Sequence, residues 1–183
     1  MSKSLIKLID SSLLPAAFMI LGKVLGVYLV AKFFNLEWAL QNSTSTFFSL
    51  RPVFAEKDLV MVSSYSDLIM FLFVLLGLSF TIFRAIYLHS SHVDPRLVAK
   101  LATNNLLDLI KDSFDVYHEA AIWLVFAWAS VATIFLNVLL EKTYVWVGLV
   151  GLISVLGFSL ILLRDVGKEV EVSRKKITTE NFA

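Results

Sequence analysis

The sequence has no cysteine and few charged residues. Without cysteine it can form neither disulfides nor thiolate metal sites, and it has no cysteine nucleophile. Charged residues occupy 17% of the 183 positions and hydrophobic residues 58%, whereas soluble domains average ~25% and ~45–50%. A water-soluble domain with this composition lacks the polar residues to cover its surface, so lipid is the favoured solvent. The net charge of +1, with no basic stripe, argues against nucleic acid as a partner.

Four apolar segments are long enough to cross a bilayer. A hydrocarbon core about 30 Å thick needs about 20 helical residues, and residues 13–34, 68–88, 120–140 and 144–163 meet that length. The last two segments are uncharged and are joined by only three residues, which predicts antiparallel neighbours. We therefore predict an all-α integral membrane protein in which residues 1–183 form a single domain of four transmembrane helices.

The distribution of lysine and arginine predicts the orientation of the chain. Eleven of these residues fall on the side of the two termini and four on the other side, with Lys23 left out because it lies within a span. Positive residues favour the cytoplasmic side, so both termini are predicted to lie inside. A bacterial or archaeal plasma membrane and the mitochondrial inner membrane all fit this topology.

The segments between the spans are not simple polar linkers. The outer loop, residues 35–67, contains the apolar residues Phe47 and Phe48, and its charged residues 56–58 before the apolar run 59–62 predict a short β-hairpin. Its apolar surface has to be covered by its own packing, by lipid or by a partner protein. The inner loop, residues 89–119, is expected to form an amphipathic helix along the inner membrane surface. Residues 164–183 form an inner, charged tail.

Lys23 is the most informative single residue, because it lies near the middle of the first span. An ammonium at that depth costs at least ~2.5–3.5 kcal/mol, and none of the other predicted spans contains a carboxylate. Three explanations stay open. The side chain snorkels; it is neutral or bonded to backbone and hydroxyl groups; or another chain, a lipid phosphate or a cofactor supplies its counter-charge. Gly22 and Gly26 flank it in a G-x-x-x-G pattern, which permits close approach of a second helix, within the chain or from a partner.

Few other residues are candidates for chemistry. His89 and His92, together with His118 at the end of the same loop, are weak candidates for a zinc or iron site. Arg84 near the inner end of the second span is expected to meet a lipid headgroup phosphate. The sequence contains no recognisable catalytic, nucleotide or cofactor motif, and we predict no catalytic residue, resident metal or cofactor.

These features favour a non-catalytic accessory, structural or regulatory subunit of a larger membrane protein complex. Its expected partners are membrane lipids and other membrane protein subunits, with Lys23, Gly22, Gly26, Arg84, Phe47 and Phe48 as candidate contact residues. The alternative is a small homo-oligomeric transporter or channel, with a polar path along Lys23 and the side of the third span that carries residues 130–137. A lipid-modifying membrane enzyme that uses the histidines is a third possibility.

Overall fold

The computed structural model describes residues 3–42, 50–87, 103 and 113–180. This part of the chain is almost entirely helical. The four helices are α1 (Lys3–Phe33), α2 (Glu56–Tyr87), α3 (Ser113–Leu139) and α4 (Val145–Glu180). Each helix is long and apolar enough to cross a membrane, so the prediction of four long apolar helices is confirmed. The predicted inner-loop helix lies mostly outside the described residues, except that residues 113–119 form the first turns of α3.

The four helices run alternately up and down. We call the end of the bundle that carries the connections 34–55 and 140–144 the loop end. The opposite end, where α2 finishes and α3 begins, is the distal end. The helix α2 is the centre of the molecule, because half of its span is buried inside the protein, against 22% for α1.

Two helices end at the loop end with the same backbone motif. Asn35 after α1 and Glu141 after α3 have φ angles of 50° and 58°. In both places two amide groups reach back to carbonyls of the last helical turn: Leu36 N donates to Ala31 O at 2.9 Å and Lys142 N to Asn137 O at 2.8 Å. This is the Schellman motif, which satisfies carbonyls that a helix end otherwise leaves unpaired.

A two-stranded antiparallel sheet connects α1 to α2. Strand β1 (Trp38–Asn42) pairs with β2 (Leu50–Phe54) in a register that sets Trp38 opposite Phe54. The sequence-based placement of the hairpin is wrong, because residues 56–62 are the first two turns of α2. The acidic residues Glu56 and Asp58 lie in the first turn of that helix, where carboxylates are favoured by the helix dipole.

The apolar core has two parts. The main core runs along α2, α3 and α4 and includes Phe71, Val74, Leu78 and Ile134. The loop-end core is built by the end of α1, strand β2 and the start of α2, from the buried residues Val30, Ala31, Phe54 and Val62. No described residue of α3 or α4 belongs to this second core. The Trp146 ring of α4 lies 6.2 Å from the ring of Tyr65, which packs against this core.

Candidate functional site

The polar residues of the bundle gather around the buried carboxylate of Asp67, eleven residues after the start of α2. Its Oδ1 accepts a hydrogen bond from Lys23 Nζ of α1 at 2.5 Å. Its Oδ2 accepts hydrogen bonds from Asn137 Nδ2 of α3 at 2.9 Å and from Thr143 Oγ1 at 2.8 Å. The carboxylate therefore joins α2 to α1, to α3 and to the connection between α3 and α4.

Lys23 has a counter-charge within its own chain. Its Nζ also donates to Ser66 Oγ at 2.8 Å, and its side chain is 36% exposed. This corrects the expectation that another chain, a lipid or a cofactor supplies the counter-charge. The predicted second span began at residue 68 and left Asp67 at its edge, whereas α2 begins twelve residues earlier and brings Asp67 level with Lys23. Contact of Lys23 with a partner or lipid stays a prediction.

Serine hydroxyls of α2 hold the α3–α4 connection beside this ion pair. Ser64 Oγ accepts a hydrogen bond from the Tyr144 amide at 2.9 Å, just before α4 begins. Ser63 Oγ and Thr143 Oγ1 are 3.1 Å apart. An ionised carboxylate only accepts hydrogen bonds, and Asp67 has three donors, so the arrangement is a buried structural network rather than a free general base.

Three glycines lie at close contacts between helices of the same chain. A Cβ added at Gly22 or Gly26 would lie 2.9 Å from a backbone Cα of α2, that of Met70 or Ser66 respectively. The G-x-x-x-G pattern therefore permits the close approach of α1 to α2. Of the two second helices considered for this pattern, one from the same chain or one from a partner, this is the one from the same chain. At Gly77, a Cβ would lie 2.0 Å from the Trp123 ring of α3, so this glycine admits the indole to the main core.

A second ion pair lies at the distal end. Arg84 Nη1 of α2 is 3.3 Å from Glu119 Oε2 of α3. The Arg84 side chain is buried, its guanidinium lies 5.9 Å from the centre of the Phe80 ring, and its Nε has no hydrogen-bond partner among the described residues. Arg84 also lines a cavity of about 650 Å³ between α1, α2 and α3.

An open apolar groove lies at the loop end, beside the second core. We call it the loop-end groove; its volume is about 920 Å³ and it is lined by Leu29, Val30, Lys32, Phe33, Phe34, Tyr65 and Ile69. Phe33 is 81% exposed there. Lys32 supplies the one cation among the lining residues.

Several predicted site residues fall outside the described part of the chain. These are Phe47, Phe48, His89 and His92. His118 lies in α3, one residue before Glu119. No group of three or more His, Cys, Asp or Glu side chains that suits a metal ion occurs among the described residues.

Sequence reasoning placed Asp67 and Glu119 at the boundaries of the spans and singled out none of the serines of α2. A usable signal was present, because Ser63, Ser64, Ser66 and Asp67 fall within five positions directly before an apolar span. If α2 is extended backwards through this polar stretch, the carboxylate lies on the helix at the depth of Lys23. To predict that Lys23 of α1 pairs with this carboxylate, one also has to know where α1 crosses α2, and the sequence does not show this.

The fold and these contacts are compatible with a multi-pass membrane protein, and the four candidate spans suggest a membrane location. No protein-family model, curated protein or solved structure matches the chain.

Proposed function

We propose that this chain is a non-catalytic structural or regulatory subunit of a larger membrane protein complex, and that a partner helix occupies the loop-end groove. The groove is the observation that carries this proposal. The buried ion pair is consistent with it, because Asp67 accepts three hydrogen bonds from donors of its own chain.

The position of the α3–α4 connection along the bundle explains why the apolar groove favours a bound partner. The α3–α4 connection contacts Asp67, and its residues Glu141 and Lys142 are exposed. Phe33 lies ten residues beyond Lys23 on α1, about 15 Å further out at ~1.5 Å per residue. If the hydrocarbon ends at the α3–α4 connection, the apolar groove stands in the headgroups or in water. If the hydrocarbon reaches Phe33, exposed charges lie within it, so either position favours a protein neighbour.

The lining of the groove indicates the chemistry of that neighbour. Most of its walls are aliphatic or aromatic, and Lys32 is its one cation. The occupant we propose is an apolar transmembrane helix that ends in an acidic residue. Such a helix buries its apolar face between α1 and α2 and places its carboxylate near the Lys32 ammonium, which favours one orientation of the partner.

Site-directed photo-crosslinking in native membranes tests the proposal. A photoreactive residue replaces Phe33 in the groove, and the matched control replaces Ile153, an equally apolar residue of α4 that is 71% exposed. We expect one discrete protein adduct from position 33 and only lipid adducts from position 153. Filling the groove with Leu29→Trp is expected to remove the adduct. Lipid adducts alone at position 33, or an adduct unaffected by Leu29→Trp, would contradict the proposal.

The orientation of the subunit belongs to the same proposal. The excess of lysine and arginine at the distal end and in the two terminal segments supports a chain with both termini on the cytoplasm-like side. A bacterial or archaeal plasma membrane or the mitochondrial inner membrane is the proposed location. Lipids contact the remaining apolar surfaces of the bundle.

One observation favours the alternative of a homo-oligomeric transporter or channel. Ionisable pairs within a membrane mark many ion and proton pathways, and Lys23 with Asp67 is such a pair. The hydroxyls of Ser130 and Thr133, however, donate to carbonyls of their own helix at 2.8 and 2.9 Å. Proteoliposomes that show an ion flux abolished by Asp67→Asn would favour transport over the subunit role.

A further inference from the structure

The distal cavity combines a buried cation with apolar walls. Besides Arg84 and Glu119 it is lined by Ser11, Leu14, Phe18, Leu76, Gly77, Phe80, Thr81 and Trp123. Its volume of about 650 Å³ lies within the range of small-molecule sites, ~300–1,000 Å³. The cavity is therefore large enough for an apolar chain, and it has a charged group at one place in its wall.

Arg84 has unused hydrogen-bonding capacity inside this wall. A guanidinium carries five N–H donors. One of them, on Nη1, donates to Glu119 Oε2 at 3.3 Å. Nε is buried and has no acceptor among the described residues. The N–H donors of the guanidinium that Glu119 leaves unused suit an oxygen-rich anion such as a phosphate.

Part of the cavity wall belongs to the exposed side of the bundle. Leu14 of α1 and Leu76 and Phe80 of α2 line it and are 57%, 65% and 53% exposed. In a membrane these residues face acyl chains. A ligand that enters between them must therefore be apolar along most of its length, which excludes a free inorganic anion as the natural occupant.

We propose that the distal cavity binds one anionic phospholipid, with its phosphate on Arg84 and an acyl chain between α1, α2 and α3. Arg84 lies three residues before the end of α2, so its guanidinium is near the depth at which headgroups begin. The Phe80 ring, which also lines the cavity, lies within cation–π distance of the guanidinium. This assignment does not depend on a partner protein in the loop-end groove.

Native mass spectrometry of the full chain in mild detergent tests the assignment. The added probes are dioleoylphosphatidylglycerol, dioleoylglycerol, oleate and inorganic phosphate. We expect phosphatidylglycerol to bind at one site per chain at least ten-fold more tightly than dioleoylglycerol. A hydrogen bond to a charged group contributes about 1.5–3 kcal/mol, and ~1.4 kcal/mol corresponds to ten-fold in affinity.

Two pairs of variants locate the site. Arg84→Gln is expected to weaken phosphatidylglycerol binding about ten-fold, whereas Arg164→Gln, an exposed arginine of the same end, leaves it unchanged. Leu14→Trp fills the opening and is expected to block binding, whereas Leu13→Trp, at a neighbouring residue that is 70% exposed and does not line the cavity, has no effect. The Leu14 pair keeps the test valid if Arg84→Gln does not fold.

Three results would overturn the assignment. The first is equal binding of phosphatidylglycerol and dioleoylglycerol. The second is saturation by oleate with no binding of phosphatidylglycerol, which would make the ligand a free fatty acid. The third is unchanged lipid binding in a folded Leu14→Trp protein.

Discussion

At Asp67 three donors from three segments hold one carboxylate in the protein interior. An isolated carboxylate in a low-dielectric interior is strongly disfavoured, but Lys23 neutralises its charge and Asn137 and Thr143 complete its hydrogen bonds. Removing one partner of a buried pair is strongly destabilising, because the other charge is left without compensation. The stability of the bundle should therefore depend on both members together.

A double-mutant cycle on Lys23→Met and Asp67→Asn measures this dependence. We expect each single variant to lower the free energy of unfolding by about 2–4 kcal/mol, below the ~3–5 kcal/mol of fully buried pairs because the Lys23 side chain is 36% exposed. The double variant should lose less than the sum of the two, by about 1–3 kcal/mol. Unfolding in mixed micelles gives these values. Strict additivity would show that the two charges do not interact.

Lys23 is easier to recognise from the sequence than Asp67. A lysine inside an apolar run stands out against its neighbours, whereas Asp67 follows a run of serines that reads as a loop. Only the continuation of α2 through those serines makes the carboxylate part of the bundle. Ser64 and Ser66 allow this continuation because their hydroxyls donate to the carbonyls of Val60 and Ser63 in the preceding turn.

At the scale of the elements, α1 approaches the backbone of α2 closely at its glycines. A Cβ at Gly26 would lie 2.9 Å from the Ser66 Cα, whereas one at Gly157 in α4 would meet nothing within 4 Å. We expect Gly26→Ala to destabilise the protein by about 1–3 kcal/mol, because backbone has to move. Gly157→Ala should be neutral or stabilising by up to ~1 kcal/mol through helix propensity. Thermal unfolding in detergent compares the two, and equal effects would contradict the close crossing.

The end of α3 offers a stabilising change. Glu141 has a φ of 58°, a left-handed conformation that costs a side-chain-bearing residue ~1–2 kcal/mol. Glycine avoids this cost but loses ~0.5–1 kcal/mol of chain entropy, so Glu141→Gly should stabilise the protein by about 0.5–1 kcal/mol. The free energy of unfolding measures the change. Lys142→Gly is the control and should be destabilising; if both substitutions act alike, the Schellman motif does not limit stability.

The hairpin shows why short elements were harder to place than spans. Residues 59–62 are apolar and partly β-branched, which is typical of a strand, yet they continue a helix of 32 residues. Packing of Val62 in the loop-end core outweighs its local preference. Long apolar runs have no comparable alternative, so the four long apolar helices could be predicted, although α2 begins twelve residues before the predicted span.

For the whole molecule, the absence of cysteine allows a direct test of orientation. Single cysteines placed at Glu141 and at Lys168, both exposed positions, report opposite sides of the membrane. With the proposed topology, a membrane-impermeant maleimide added to intact cells of a bacterial host labels Glu141→Cys and not Lys168→Cys until the cells are opened. The opposite pattern would invert the chain, and labelling of both in intact cells would contradict a helix that crosses the membrane between them.

Composition and periodicity were sufficient for the class of fold but not for the candidate site. The four helices follow from local runs of apolar residues, each visible on its own. The Asp67 network and the distal cavity depend on which residues of different helices lie at the same level along the bundle axis. Arg84 was visible as a cation near a span end, but its partner Glu119 lies 35 positions further along the chain, beyond the reach of any local pattern.

The distribution of the ion pair over the helices has a consequence for biogenesis. Both charged members belong to the first two helices, whereas residues 120–140 contain no ionisable side chain. The first hairpin can therefore enter the bilayer already neutralised by its own salt bridge, and the second can follow unaided. Asn137 and Thr143 belong to the second hairpin, so the network is complete only when the two hairpins have docked.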